Sequence, residues 1–316
     1  MEQIASMIHG PHLYGTTVNF NHVHYKLVFM PDITDKLTNA CDDSLYFSTK
    51  ELEQASITTP CDLDAVSIQK YVKDLSEGDP DAIEMLNTPA DMLVNSSGEW
   101  DYLRLHRESF YTKSMEGFMR PIRRGVRSYG EGMEEFCALS DVRDFLLEFP
   151  EETPLSDIWD VLPVNDYSSV KYCSQRKVEI YSVVDGVFSK EQTVGYILKA
   201  VKNIAVNIQK KRERLIKGDA DWNEVANVIR LLFEVKDIYE YGRLDFPMEK
   251  ANYLRAISEG RLDFRFHNLS QVIEDLYEEV LELQKKSTYP EEIDLKQWNQ
   301  WIVGCYVSRF LSEVIK

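Results

Sequence analysis

From Val187 to the C-terminus, apolar residues recur every third or fourth position through four successive segments: SKEQTVGYILKAVKNIAVNIQKKRERLI, WNEVANVIRLLFEVKDIYEYG, LSQVIEDLYEEVLELQKKS and DLKQWNQWIVGCYVSRFLSEVIK. That spacing gathers apolar side chains on one stripe of a helix and does not suit a half-buried strand, whose period is two. The C-terminal part therefore reads as helical, with Gly242 just past the second segment as a C-terminal cap. Upstream the texture differs. The chain up to Pro31 reads as a helix or turn, then a glycine-bearing loop, then a strand whose core, YKLVF, is aromatic and β-branched and stops at the proline. CDLDAVSIQKYVKDLSEG begins as a short strand and takes on helical spacing until Gly78 and Pro80. DPDAIEMLNTP reads as a helix capped by Asp79, with Pro80 in its first turn and Pro89 ending it. Between Glu131 and Gln175 acids, aromatics and prolines dominate, and one helix followed by loops is expected. The class is α+β: a small unit of mixed sheet and helices over 1–115, an acidic connecting or inserted segment over 116–186, and a mostly helical region over 187–316.

Charge narrows the function classes. The formal net charge of −17 opposes non-specific nucleic-acid binding, which draws its affinity from cationic contacts that release counterions. Arg120, Arg123, Arg124 and Arg127 form one basic cluster and Lys210, Lys211, Arg212, Arg214 and Lys217 another; both read as solvated helix faces balanced by nearby acids. The 5 cysteines are scattered and never in a CxxC pair, as expected of reduced thiols. No apolar run reaches the roughly 18 residues of a membrane span, and the N-terminus lacks the pattern of a secretory signal, so no membrane partner and a cytoplasmic location are expected.

The stretch GPHLYGTTVNFNHVHYKLVFMP raises the question of chemistry. A turn flanked by Gly10 and Gly15 can present backbone N–H groups to a phosphate, because glycine tolerates close approach and unusual dihedrals. Residues at i and i+2 on the strand that follows point to one face. Two carboxylates there, with a third from a neighbouring strand, would hold two divalent cations that orient a nucleoside triphosphate and activate an attacking hydroxyl. His22 and His24 occupy those places.

The pattern Gly-Ser-x-x-Tyr-Gly-Thr, a spacer, Ser-Asp-x-Asp and an apolar strand ending in proline is matched here at Gly10, Tyr14, Gly15, Thr16, Val28, Phe29 and Pro31. On these residues the chain resembles the predicted phage and bacterial nucleotidyltransferases of the DNA polymerase-beta superfamily. The resemblance continues through DLDAVSIQKYVKDLSEGDPDAIEMLNTP, then FSKEQTVGYI, DWNEVANVIRLL, EYGRLDFP, YLRAISEGRLDF and KKSTYPEEID, and fades only in the acidic stretch. It implies a nucleotidyltransferase-like mixed sheet and a nucleotide held by Gly10, Tyr14, Gly15, Thr16, Lys70 and Arg230. It also implies a third carboxylate at Asp64, with Asp62 as the alternative. The departures fall at the chemistry. Pro11 replaces the loop serine, Asn21, His22 and His24 stand for Ser, Asp and Asp, and Asn223 and Asn227 replace a Lys and a His, while Asp221 and Arg230 remain.

Mg²⁺ prefers hard oxygen ligands, whereas neutral imidazole suits zinc and other transition metals. A pseudoenzyme that binds a host or phage protein, or a nucleotide, is therefore expected, with no resident cofactor. Its FLLEFPEETPLSDIWDVLP segment would be either a partner patch or a helix and loop packed on the core. The alternative is an active enzyme that passes NMP from an NTP to RNA, a nucleotide or a protein, needing Mg²⁺ and carboxylates from elsewhere. A transition-metal site of His12, His22, His24 and Asp64 is a further expectation from spacing, and a nucleotide-binding module without turnover is another.

Overall fold

The computed structural model describes residues 2–17, 22–38, 40–49, 60–130, 134–165, 167–173, 178–217, 220–261 and 266–314. Asn21 lies outside the described residues. Contacts divide the chain into two units: Met1–Ile122 with Ala226–Leu262 and Leu276–Lys316, and Arg123–Val225 with Asp263–Asp275. The consecutive segments expected from sequence, with limits at 115 and 186, differ from these interleaved units.

The first unit is built on a five-stranded mixed sheet. Its strands are β1 (Glu2–His9), β2 (Val23–Met30), β3 (Ser44–Phe47), β4 (Cys61–Ser67) and β5 (Leu93–Ser96), in the spatial order β3-β4-β2-β1-β5. β2 runs parallel to β4 and antiparallel to β1, so the middle of the sheet aligns His9 with His24 and His24 with Asp62. The opening segment is a strand, which corrects the expected helix or turn. Ile4, Ala5, Ser6 and Met7 are all buried, so both faces of β1 are covered, and a short run buried on two faces carries no diagnostic period. β2 ends before Pro31 as expected.

Two helices follow β4 in the expected places. Ser67 caps α1 (Ile68–Ser76) by accepting from the Lys70 amide at 3.2 Å, and Asp79 caps α2 (Pro80–Asn87) by accepting from Ala82 N at 3.1 Å. Gly78 between them takes a φ of 67°, which glycine adopts without strain. Trp222–Tyr241, α3 here, ends on Gly242, whose amide returns to the Ile238 carbonyl at 3.0 Å.

The second unit holds a helix over Glu134–Leu146, a 3₁₀ segment over Leu155–Val161, a three-stranded antiparallel sheet (Ser168–Cys173, Val178–Val183, Gly186–Phe188) and a long helix over Val194–Lys217. The first of these strands replaces part of the loops expected up to Gln175. The turn between the sheet's last two strands is Val184-Asp185, with Val184 at φ 53° and Gly186 already paired with Val183. Leu155, Ile158, Trp159, Tyr181 and Val183 share one apolar core with Val194, Ile197 and Val201. Many large apolar side chains of the acidic stretch are thus interior, as in the packed alternative, although Leu147, Val161, Val164 and Tyr172 stay exposed. The class is α+β as expected, a mixed N-terminal sheet with helices and a mostly helical C-terminal region. No described helix is long and apolar enough to cross a membrane.

Candidate functional site

The parallel pairing of β2 with β4 builds the site in two rungs. His24 and Lys26 are two apart on β2, Asp62 and Asp64 two apart on β4, and the register sets His24 beside Asp62 and Lys26 beside Asp64 on one face of the sheet. In the first rung His22 Nε2 lies 3.0 Å from Asp62 Oδ2 and His24 Nδ1 lies 4.0 Å from the same oxygen. The two imidazole rings meet edge to face, 4.8 Å between centroids. One ligand atom from each of the three side chains falls within 4.8 Å of the others. The other carboxylate oxygen, Asp62 Oδ1, accepts from the Thr49 amide at 3.1 Å, and Thr49 Oγ1 in turn donates to the Cys61 carbonyl at 2.8 Å. Burial pushes the Asp62 carboxyl up, but hydrogen bonds from His22 and the Thr49 amide outweigh it and hold the group below the usual carboxylate range. His12, on the adjoining loop, is held below the usual imidazole range by burial and by the fields of His24 and His22.

The second rung is an ion cluster. Lys26 Nζ sits 2.9 Å from Asp64 Oδ2 and 2.9 Å from Asp81 Oδ2, the latter reaching across from α2. Burial lowers the ammonium and the two carboxylates more than compensate, so Lys26 stays charged beyond the usual lysine range. Beside it opens a cleft of about 410 Å³ lined by Lys26, Asp64, Lys70, Asp74, Asp79 and Asp81 among others. Lys70 is tied to Asp74 at 2.7 Å. Four carboxylates face two ammonium groups in this cleft, a formal balance of −2 that disfavours a triphosphate.

Four amides of the loop are taken up within it. Amides of Tyr14, Gly15, Thr16 and Thr17 bond to the carbonyls of Gly10, His12, Pro11 and Pro11, respectively, so these N–H groups are consumed inside the turn. Gly10, at φ 68°, backs directly onto His24, whose Cδ2 would lie 3.8 Å from an added Cβ. Gly15 has a packing role: at φ 77°, a Cβ there would stand 2.8 Å from Pro247 Cβ and 3.3 Å from Ala251 Cβ. The Met248 amide completes that contact by donating to the Tyr14 carbonyl at 3.1 Å.

Tyr14 and Arg230 do come together, but in the interior. Tyr14 donates to Glu84 Oε2 at 2.6 Å, and Arg230 stacks over the Tyr14 ring at 4.2 Å while its Nη1 pairs with Glu84 and, at 2.7 Å, with Glu234. Asn227 Oδ1 accepts from Arg230 Nη2 at 2.8 Å, and His9 Nε2 lies 3.1 Å from Glu84 Oε2. Glu84 and Glu234 are 0% and 1% exposed. Burial would raise the Glu84 carboxyl, but Arg230 and His9 hold it at about 2. Burial and the charge of Glu84 push Glu234 well above the usual range, so one carboxylate answers one guanidinium. His9, Asp81 and Glu84 also cluster, yet Glu84 is already committed to Arg230 and Tyr14.

The sequence-derived set is therefore divided. His22 and His24 converge with Asp62, the position kept as the alternative, and not with Asp64, which pairs with Lys26. Lys70 lies at the cleft, Gly10 behind His24, Gly15 and Thr16 in the closed turn, and Tyr14 and Arg230 in the buried network. Lys26, Thr49, Asp81 and Glu84 were missed. Two of them had a signal: Lys26 is a charge inside an apolar strand at the same spacing as the histidines, and Glu84 lies between apolar neighbours in a helix. Mg²⁺ and a nucleoside triphosphate do not fit this face. The first rung offers two imidazoles and one carboxylate where hard oxygens are needed, and the second is filled by an ammonium. Asp221 serves as a helix cap, accepting from the Asn223 and Glu224 amides at 3.1 Å.

The chain is 22% identical over 335 aligned positions, 99% of each chain, to the uncharacterized 38.9 kDa protein of the nrdC-mobD intergenic region of Enterobacteria phage T4. No protein-family model and no solved structure matches. The chain is thus similar along its whole length to a phage protein.

Proposed function

We propose that this is a phage protein of the nucleotidyltransferase fold that has lost nucleotidyl transfer and acts by binding a host or phage protein in the host cytoplasm. The observation that carries the reading is the makeup of the sheet face: His22 and His24 beside Asp62, and Lys26 clamped between Asp64 and Asp81. Polymerase-type transfer needs anionic oxygens at the first rung to hold two cations, and a protonated or neutral imidazole supplies none. The inward-bonded amides of Tyr14, Gly15, Thr16 and Thr17 and the acidic cleft support the same reading, since both lower affinity for a triphosphate. The test has two arms. Titration calorimetry with ATP, GTP, CTP and UTP, with and without Mg²⁺ or Mn²⁺, together with α-labelled NTPs added to host extract, is expected to give neither saturable binding nor labelled product. Purification of the tagged chain from infected cells is expected to bring down the same protein reproducibly. Labelled transfer abolished by Asp62→Asn would overturn the reading, and nucleotide binding without transfer would replace the protein partner by a nucleotide.

A further inference from the structure

We propose that His22, His24 and Asp62 form a mononuclear site for a transition-metal dication, Zn²⁺ or a close analogue, with the remaining position open to water at the surface. The inference rests on the side chains alone and would survive failure of the reading above.

The three donors already converge. Around a tetrahedral ion with metal–nitrogen bonds of about 2.0 to 2.1 Å, neighbouring ligand atoms stand about 3.3 Å apart. Here the His22–Asp62 and His24–Asp62 separations are 3.0 and 4.0 Å, values that bracket it, and all three ligand atoms fall within 4.8 Å. Small torsions of exposed rings close the difference, because the His22 and His24 side chains are 40% and 48% exposed. Alternate positions at the start of one strand put both rings on one face, and the parallel register delivers Asp62 beside them.

The carboxylate is oriented as a ligand would be. The Thr49 amide donates to Oδ1 at 3.1 Å and the Thr49 hydroxyl is anchored on the Cys61 carbonyl at 2.8 Å, so Oδ2 is the oxygen turned toward the imidazoles. Outer partners of this sort fix ligand geometry in protein metal sites. Two imidazole nitrogens and one carboxylate oxygen suit Zn²⁺, Co²⁺ or Ni²⁺ and are poor for Mg²⁺ or Ca²⁺. Three protein ligands and an accessible face leave a coordination position for water or for a donor group of a partner.

The test uses the full chain without a polyhistidine tag, stripped with EDTA and titrated with Co²⁺ while visible absorption is recorded. One equivalent is expected to give the ligand-field bands of a four- or five-coordinate ion, and one equivalent of Zn²⁺ is expected to erase them. His22→Ala and His24→Ala should each weaken binding at least ~10-fold and the pair should abolish it. His106→Ala, at an imidazole stacked on Tyr102, should leave it unchanged. His22→Gln and His24→Gln, nearer in volume, serve as second variants, and circular dichroism checks the fold of each. Absence of stoichiometric Co²⁺ and Zn²⁺ binding, or binding undiminished in the doubly substituted chain, would overturn the proposal.

Discussion

Replacing Glu84 by Gln probes how the interior network divides its charge. Glu84 and Glu234 both face Arg230 Nη1, and all three are buried. Moving a carboxyl from 4.5 to about 2 corresponds to about 3 kcal/mol of interaction with the ionised form. That is an upper bound on the cost of Glu84→Gln, because the Glu84 charge is one of the causes that raise Glu234, and its removal shifts Glu234 toward the ionised form that can answer Arg230. We expect about 2 kcal/mol for Glu84→Gln, at most about 1 kcal/mol for Glu234→Gln, and about 4 to 5 kcal/mol for the double variant, whose Arg230 is left buried without an anion. The pH dependence follows from the sign of the shift. A carboxyl whose folded pKa is depressed contributes stability that is present above 4.5 and is lost as pH falls toward 2, so the gap between Glu84→Gln and the parent should close over that range. Urea unfolding at pH 7.5 and at steps between pH 4.5 and 2, followed by tryptophan fluorescence, with amide exchange across Pro80–Asn87 and Trp222–Tyr241, measures it. Additive single effects, or Glu234→Gln costing as much as Glu84→Gln, would refute the shared-charge reasoning.

Two further predictions concern stability. Gly15→Ala meets Pro247 at 2.8 Å with an unfavourable positive φ and should cost about 2 to 3 kcal/mol in thermal or urea unfolding, whereas Gly10→Ala has 3.8 Å of room and should cost only the backbone term of about 1 kcal/mol. Equal losses at the two positions would contradict the packing role given to Gly15. Burial first, then Glu240 and Asp245, push the Asp237 carboxyl up to about 6. A raised carboxyl contributes stability below 3.8 and loses it as pH rises through 6, so Asp237→Asn should stabilise the chain by about 1 kcal/mol at pH 7.5, after allowance for solvent screening, and have little effect at pH 4. Stabilisation of the same size at both pH values would remove titration as the cause.

Features with a local cause were legible in the sequence. Asp79 with Pro80, Gly242 and Pro31 act within a turn of the element they start or end, and each does so here. The strand Glu2–His9 was not legible, because a segment buried on both faces has no alternation and its identity comes from two strands distant in sequence. The hairpin over Val178–Phe188 was legible in principle: YSVVDGVF sets an Asp-Gly dipeptide between apolar residues, just past the stretch whose acids and prolines suggest loops. At the candidate site, spacing could place Asp62 and Asp64 on one face but could not choose between them. The choice depends on the register of β2 against β4, which pairs His24 with Asp62. Arg230 shows the same limit, since the flanking IRLL reads as apolar spacing and only tertiary packing turns the guanidinium inward to Glu84.

The most direct measurement of the account is a crystal of the full chain soaked in ATP and Mg²⁺. With imidazoles at positions 22 and 24 and the Lys26 ammonium between Asp64 and Asp81, the sheet face should show no ordered triphosphate and no pair of Mg²⁺ ions. Density for two Mg²⁺ ions bridged by Asp62, with the triphosphate against the Gly10 turn, would contradict it.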